Sequence, residues 1–290
     1  MKISQHIHKL LLQKITGLNK DQLFFNPPPN PLPSKEGELY DNYIKRYLSG
    51  EPIEYIVENA EFYGFDFFVD SRVLIPRNDT EIMVEKTIEE LKGKNNSIYI
   101  DTGTGSGCIP ISVVKNITPP PSRTPLKKGR ENIQYFGVDI SEKALEVAHI
   151  NMKRHSLEGK ITLLQGNLLE PFLIPRPNPL LRGEEKKDII ITANLPYIKQ
   201  DDFDNMDSSV YLHEPELALY GGKETGFELY EKLLEQSSLL AQEGLRVVVF
   251  IEIGFDQKET CEKYLKSKGY EYEIFKDNGG IERCVRIEVK

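Results

Sequence analysis

Tryptophan is absent from this 290-residue chain, and its three cysteines, Cys108, Cys261 and Cys284, are far apart. Such spacing builds neither a disulfide framework nor a metal-ligand cluster. No apolar run approaches the roughly 20 residues that span a bilayer. The start, MKISQHIHKLLLQK, lacks the small-residue cleavage site of a secretory signal. A cytoplasmic protein with no membrane association and no bound metal is therefore expected. Basic residues are in deficit as well: 37 Lys and Arg stand against 45 Asp and Glu, for a net charge of -8. Proteins that grip duplex DNA or structured RNA neutralise phosphates with a basic surface, so direct nucleic-acid binding is disfavoured.

What is present fits one large α/β domain with a small accessory one. Ile3, Ile7, Leu10, Leu11 and Ile15 make one helical stripe. A second helix is expected from Glu38 to Ser49, with Gly50 as its stop signal. Residues 53–75 read as a strand-rich connector turning at Gly64. From residue 79 strands and helices alternate, the pattern of a parallel sheet covered by crossover helices. The expected strands are 97–101, 133–139, 161–165, 188–193 and 245–253, and the helices 79–92, 107–115, 141–155, 225–242 and 256–268. Thr225 and Glu228 have capping-box spacing. At the end, YEYEIFK and RCVRIEVK flank Asp277-Asn278-Gly279-Gly280, which predicts a hairpin and so an antiparallel pair closing the sheet. Three similar Pro-rich stretches, at 30–38, 124–131 and 178–185, read as inserted surface loops, too polar to offset the cost of ordering.

Asp101-Thr102-Gly103-Thr104-Gly105-Ser106-Gly107 follows a strand and opens a helix. Glycines there let the backbone turn sharply and a ligand approach the helix start; Pro110 is tolerated in the first turn. Such a turn by itself suits a dinucleotide, a phosphate or S-adenosylmethionine. Asp139 ends the next strand, where a carboxylate accepts two hydrogen bonds from ribose hydroxyls. It stands about 36 residues after Gly103, and removing the insertion-like stretch near 118–132 restores about 21, close to the roughly 20 of a nucleotide-binding unit. After the third strand, Asn167 or the Leu168 backbone is positioned to meet an adenine edge.

Asn194-Leu195-Pro196-Tyr197 follows the apolar strand DIIITA. An amide or aryl-amine NH2 is a poor nucleophile because its lone pair is delocalised. Two acceptors gripping its N–H bonds turn that lone pair toward a sulfonium methyl, which is catalysis by orientation, and stabilise the charge that develops on nitrogen. The Asn194 side-chain oxygen and the Leu195 carbonyl are the two acceptors. Pro196 holds Leu195 extended, and Tyr197 offers a flat surface for a planar group. A dehydrogenase has no use for this tetrapeptide, which selects S-adenosylmethionine as the cofactor.

Over roughly residues 50–290 the chain resembles the release-factor glutamine methyltransferases. The resemblance rests on GEPIEYI (50–56), EFYGFDFFVDSRVLIPRNDTE (61–81), DTGTGSG (101–107), DISEKALEVAHINM (139–152) and NLPYI (194–198), and continues through EPELALYGGKETGFELY (214–230), IEIG (251–254) and DNGGIERCV (277–285). It implies a Rossmann-like seven-stranded sheet, mostly parallel with an antiparallel C-terminal strand, behind a small helical domain and a β-hairpin connector. The divisions expected are 1–50 for partner recognition, 51–76 for the connector and 77–290 for catalysis. It further implies transfer of a methyl group from S-adenosyl-L-methionine to N5 of the Gly-Gly-Gln glutamine of a peptide chain release factor. Gly103, Thr104, Gly105, Ser106, Gly107, Asp139, Asn167, Leu168 and Asn194 would hold the cofactor; Asn194, Leu195, Pro196 and Tyr197 would act on the amide; and a monomer is expected.

Three departures stand out. Leu195 replaces the first proline of the usual Asn-Pro-Pro-Tyr, the region before GEPIEYI is short, and Asn78 stands where proline is usual. Asn-Leu-Pro-Tyr is also similar to the motif of adenine-N6 rRNA dimethyltransferases, so the tetrapeptide alone leaves amide and adenine both open. The surrounding blocks and the acidic balance select the amide, and the intact glycines, Asp139 and Asn194 speak against an idle scaffold.

Overall fold

The computed structural model describes residues 3–30, 32–94, 96–117, 133–173, 187–199, 201–202 and 212–289. At its centre is β3 (Ser97–Thr102), with all six residues buried. Parallel to it run β4 (Ile133–Asp139), β5 (Ile161–Gln165), β6 (Asp188–Ala193) and β9 (Arg246–Glu252). The hairpin of β10 (Glu271–Lys276) and β11 (Glu282–Val289) turns through residues 277–281 and adds antiparallel beside β9. The sheet order is β10-β11-β9-β6-β3-β4-β5. The seven strands expected from sequence are therefore present, as a mostly parallel sheet closed by an antiparallel pair.

Both faces of the sheet are covered, which is why its central strands are almost uninterruptedly apolar. Ile98, Ile100, Ile189 and Ile191 pack with Leu233 and Leu234 of α9 (Glu228–Gln242). The alternate residues Tyr99, Ile190 and Val248 join Met83 and Val84 of α5 (Glu81–Leu91) and Val113 of α6 (Cys108–Ile117). Helices α7 (Glu142–Arg154), α8 (Glu170–Leu173) and α10 (Lys258–Lys268) complete the layers. The capping box expected at 225–228 does not form, since α9 has Phe227 at its N-cap with no side-chain cap. The Glu228 carboxylate accepts from the Thr225 N–H at 3.2 Å, while the Thr225 hydroxyl accepts from Phe227 and α9 begins only at Glu228.

Before the sheet lie α1 (Gln5–Thr16), α2 (Lys20–Phe25), α3 (Ser34–Leu48) and α4 (Ile53–Val57); α1, α3 and α4 gather around Ile7, Leu11 and Ile56, and α2 buries no residue. Helix α2 opens on an Asn19–Gln22 capping box. That spacing is visible in the sequence, but a helix of six residues is too short to show itself by apolar periodicity. Two expectations need correction here. The stretch at 30–38 is not a loop throughout: Pro33 caps α3, which starts at Ser34 instead of Glu38, because proline presets the backbone for a first helical turn. The connector is less strand-rich than expected. It begins as α4, and only β1 (Ala60–Phe62) and β2 (Phe65–Phe67) pair, around Gly64. Val69, Val73 and Ile75 bury against Ala144 and Val147 of α7 instead of joining a ladder. The Pro-rich stretches at 124–131 and 178–185 lie outside the described residues.

Candidate functional site

The carboxyl ends of β3, β4, β5 and β6 open on one cleft of about 1150 Å³, its mouth included. This is where an open α/β sheet binds ligands, beside the strand at which chain order reverses. Gly103 and Gly105 turn the loop after β3 with φ of 72° and 52°. At Gly103 a Cβ would stand 3.0 Å from Leu195 Cδ2, so the glycine turn and the acceptor loop abut directly. Gly107 does not line the cleft; a Cβ there would meet Ile111 and Ala148, so its role is the close packing of α6 on α7.

Asp139 holds the loop from the next strand. Its Oδ2 accepts from the Gly105 N–H and its Oδ1 from the Ser141 N–H, both at 2.9 Å. Ser141 caps α7, its hydroxyl accepting from the Ala144 N–H. Burial pushes the Asp139 carboxyl up, against the pull of those backbone N–H groups. Each carboxylate oxygen accepts more than one hydrogen bond, so Asp139 retains capacity for a diol. Asn167 and Leu168 line the same cleft, and Leu168 takes a positive φ of 57°, unusual for a branched side chain. Its neighbour Leu169 is anchored through its N–H to Gln236 Oε1 at 2.8 Å. The buried Thr102 hydroxyl, under the glycine turn, has no hydrogen-bond partner among the described residues. A glycine cradle, an acid on β4 and an apolar wall of Val73, Ile109, Ile140 and Leu168 suit a nucleoside-bearing sulfonium.

Deeper supports are less visible in sequence. Asn151, fully buried on α7, donates through Nδ2 to the carbonyls of Phe68 and Ser106, both at 2.9 Å, and accepts the Phe68 N–H at 2.7 Å. It ties the connector to the glycine loop. Asp101, buried at the foot of that loop, accepts from the Thr192 hydroxyl at 2.6 Å, and burial pushes it up to about 7.

The acceptor tetrapeptide leaves β6 on the other side of the cleft. Asn194, Leu195 and Pro196 line it, whereas Tyr197 does not. The Tyr197 ring packs by Gly254 and the core, and burial, then the charge of Glu252, pushes its hydroxyl up to about 12. The loop is held from behind. A Cβ at Gly221 would fall 2.6 Å from the Pro196 carbonyl, and Gln257 Nε2 donates to the Tyr197 carbonyl at 3.1 Å. After it, β7 (Ile198–Lys199) pairs with β8 (Tyr220–Gly222).

Three residues from elsewhere in the chain fix the acceptor atoms. The Tyr230 hydroxyl accepts from the Leu195 N–H and donates to the Leu195 carbonyl, both at 3.1 Å. Asn194 Nδ2 donates to the Thr80 hydroxyl at 3.1 Å. Glu252 ends β9 beside Asn194 and is pushed up to about 7 by burial. At the mouth, Arg77 forms an ion pair with the buried Glu214. Thr80, Tyr230 and Glu252 fall inside the blocks 61–81, 214–230 and 251–254 that carry the resemblance, but nothing in those blocks names their task.

Comparison with known proteins bears on this arrangement. Residues 4–57 match the family model of the PrmC N-terminal domain, and residues 93–279 match a methyltransferase domain. The chain is 32% identical to a release factor glutamine methyltransferase of Clostridium acetobutylicum, covering 92% of this chain and 86% of that protein. It is 30% identical to the protein of the same name from Bacillus subtilis, covering 96% and 88%. Among solved structures, the hMettl16 catalytic domain in complex with MAT2A 3'UTR hairpin 6 superposes with a TM-score of 0.53 at 12% identity, covering 89% of this chain and 82% of that one. At that identity the likeness extends to the fold alone.

Proposed function

The chain belongs to the release factor glutamine methyltransferase family, and on that premise we propose which of its atoms carry the transfer. The enzyme moves a methyl group from S-adenosylmethionine to the side-chain amide nitrogen of a protein glutamine. The cofactor supplies, when bound, a methyl group made electrophilic by its sulfonium. Gly103, Thr104, Gly105, Ser106 and Gly107 form the loop that receives it, Asp139 takes its ribose hydroxyls, and Asn167 with the Leu168 backbone meets its base. Asn194 Oδ1 accepts one N–H of the glutamine amide and the Leu195 carbonyl the other, which turns the nitrogen lone pair toward the cleft. Both acceptors also stabilise the positive charge that grows on nitrogen as the bond forms. No base is required beforehand, since the proton acidifies during transfer and leaves to solvent afterwards. Pro196 stiffens the Leu195 carbonyl, and Tyr197 braces the loop from beneath.

The observation that carries this reading is the abutment of Gly103 on Leu195. It brings a sulfonium seat and an amide grip into one cleft, close enough to share a substrate. Residues 1–50 take the role of docking the release factor, 51–76 join the two parts, and 77–290 perform the chemistry. The net charge of -8 supports a protein acceptor over nucleic acid, and we read the enzyme as a cytoplasmic monomer. Incubation with labelled S-adenosylmethionine and either a release factor or bulk rRNA tests the acceptor. Label should appear on the glutamine of the Gly-Gly-Gln loop; label in the RNA alone would establish adenine as the target. Asn194→Ala should lower turnover by about 10²–10³-fold and leave cofactor affinity largely intact, by calorimetry.

A further inference from the structure

The Asn194 side chain is planar, with an acceptor at one end and two donors at the other. It grips an amide N–H only if Oδ1, not Nδ2, faces the substrate. Nothing in the Asn-Leu-Pro-Tyr sequence determines which end that is. In the structure, Nδ2 donates to Thr80 Oγ1 at 3.1 Å. Thr80 is 2% exposed and lies where the connector enters α5, 114 residues away in sequence. A hydroxyl that accepts from Asn194 still has its own hydrogen to place. Glu252, 4% exposed, is the acceptor at hand, with Thr80 and Asn194 as its hydrogen-bonding neighbours. Strand register explains the meeting: Ala193 pairs with Ile251 in the parallel ladder, so Asn194 and Glu252 emerge side by side. The remaining oxygen, Glu252 Oε2, has no partner among the described residues, so the carboxyl has no rival anchor there.

We propose that Thr80 and Glu252 are positioning residues that take both hydrogens of the Asn194 amide and so aim its Oδ1 at the substrate nitrogen. A flipped Asn194 would turn its NH2 toward the glutamine NH2, donor against donor, so the substrate side opposes the wrong orientation. This rests on the role given to Asn194 above.

The test uses the full-length enzyme with a release factor as substrate. It compares Thr80→Val, Thr80→Ser and Glu252→Gln for kcat, KM, S-adenosylmethionine affinity and thermal midpoint. Valine keeps the shape and deletes the acceptor. It should lower kcat by about 10-fold or more, approaching the 10²-fold typical of a lost transition-state contact, with cofactor affinity within about threefold. Serine should restore kcat to within about threefold of wild type. Glu252→Gln brings N–H groups that compete for the Thr80 oxygen and should also lower kcat. It decides the matter should the valine variant not fold. A folded Thr80→Val enzyme with kcat within twofold of wild type would overturn the proposal. So would losses that follow cofactor affinity or thermal midpoint and are not restored by serine. Full turnover in Asn194→Ala would instead overturn the underlying reading of the grip.

Discussion

Leu195 carries a backbone N–H that the first proline of Asn-Pro-Pro-Tyr lacks, and a double-mutant cycle with Tyr230 measures what that hydrogen demands. Both residues are buried, Leu195 at 4% exposure and Tyr230 at 0%. One hydroxyl serves both backbone groups of Leu195, at 3.1 Å each. Tyr230→Phe removes that hydroxyl and strands a buried donor, which costs about 1–3 kcal/mol, on top of about 1 kcal/mol for the carbonyl bond. We expect about 2–4 kcal/mol of lost stability in the natural background. In Leu195→Pro there is no N–H to strand, so Tyr230→Phe should cost only about 1 kcal/mol. The cycle should therefore return a coupling of about 1–3 kcal/mol, the cost of the stranded donor. Urea unfolding midpoints at constant m-value report the four stabilities. Equal costs of Tyr230→Phe in the two backgrounds would refute the reasoning, because the N–H would then not be what the hydroxyl serves. Turnover adds a second reading: kcat should fall in Tyr230→Phe and recover in part in the double variant, where the proline ring stiffens the same carbonyl.

Two further outcomes are expected. Glu252 titrates near 7 in the fold against an ordinary 4.5, so the folded protein holds its proton more tightly than the unfolded chain. Stability should fall as pH rises from about 4.5 to 7 and level off above, by about 3 kcal/mol from this group. Arg283, Asp79, Tyr197, Tyr230 and Cys284 face the same carboxyl. Denaturation of Glu252→Gln across pH 5–8 should show a shallower decline, with Asp101, also near 7, and the carboxyls of Asp139 and Glu214, likewise raised by burial, contributing to what remains; an unchanged slope would exclude Glu252 as a source. Gly103→Ala forces a left-handed residue at φ 72° and a Cβ 3.0 Å from Leu195 Cδ2. It should cost about 1–2 kcal/mol of stability and weaken cofactor binding by more than about tenfold, and calorimetry showing wild-type affinity would contradict the cradle.

The sheet is readable from sequence because its central strands β3, β6 and β9 are buried on both faces, and runs such as IIIT at 189–192 admit few other structures. The connector is not. Val69, Val73 and Ile75 have strand composition, yet burial of such side chains is satisfied as well by packing on α7 as by pairing, and local propensity does not register the difference. The start of α3 falls earlier than its composition suggests for a related reason. Pro33 and Gly37 read as loop residues when taken singly, although a proline just before a first turn favours a helix.

At the site, the residues proposed to touch a ligand are legible in the sequence, and the task proposed for those that aim them is not. Gly103, Asp139 and Asn194 sit at strand ends in short motifs whose chemistry forces their identity. Thr80, Tyr230 and Glu252 come from three other elements and converge on a two-residue stretch. Their identities follow from one constraint: each free hydrogen on Asn194 and Leu195 needs a buried acceptor, or the acceptor oxygens beside it lose their direction. Changing proline to leucine at 195 therefore does more than replace one apolar side chain with another. It adds a donor that the fold must satisfy, and the Tyr230 hydroxyl, which already donates to the carbonyl, has the lone pair to do so. The departure from Asn-Pro-Pro-Tyr is absorbed behind the loop, by a residue that does not line the cleft, and so is compatible with the grip proposed for the glutamine amide.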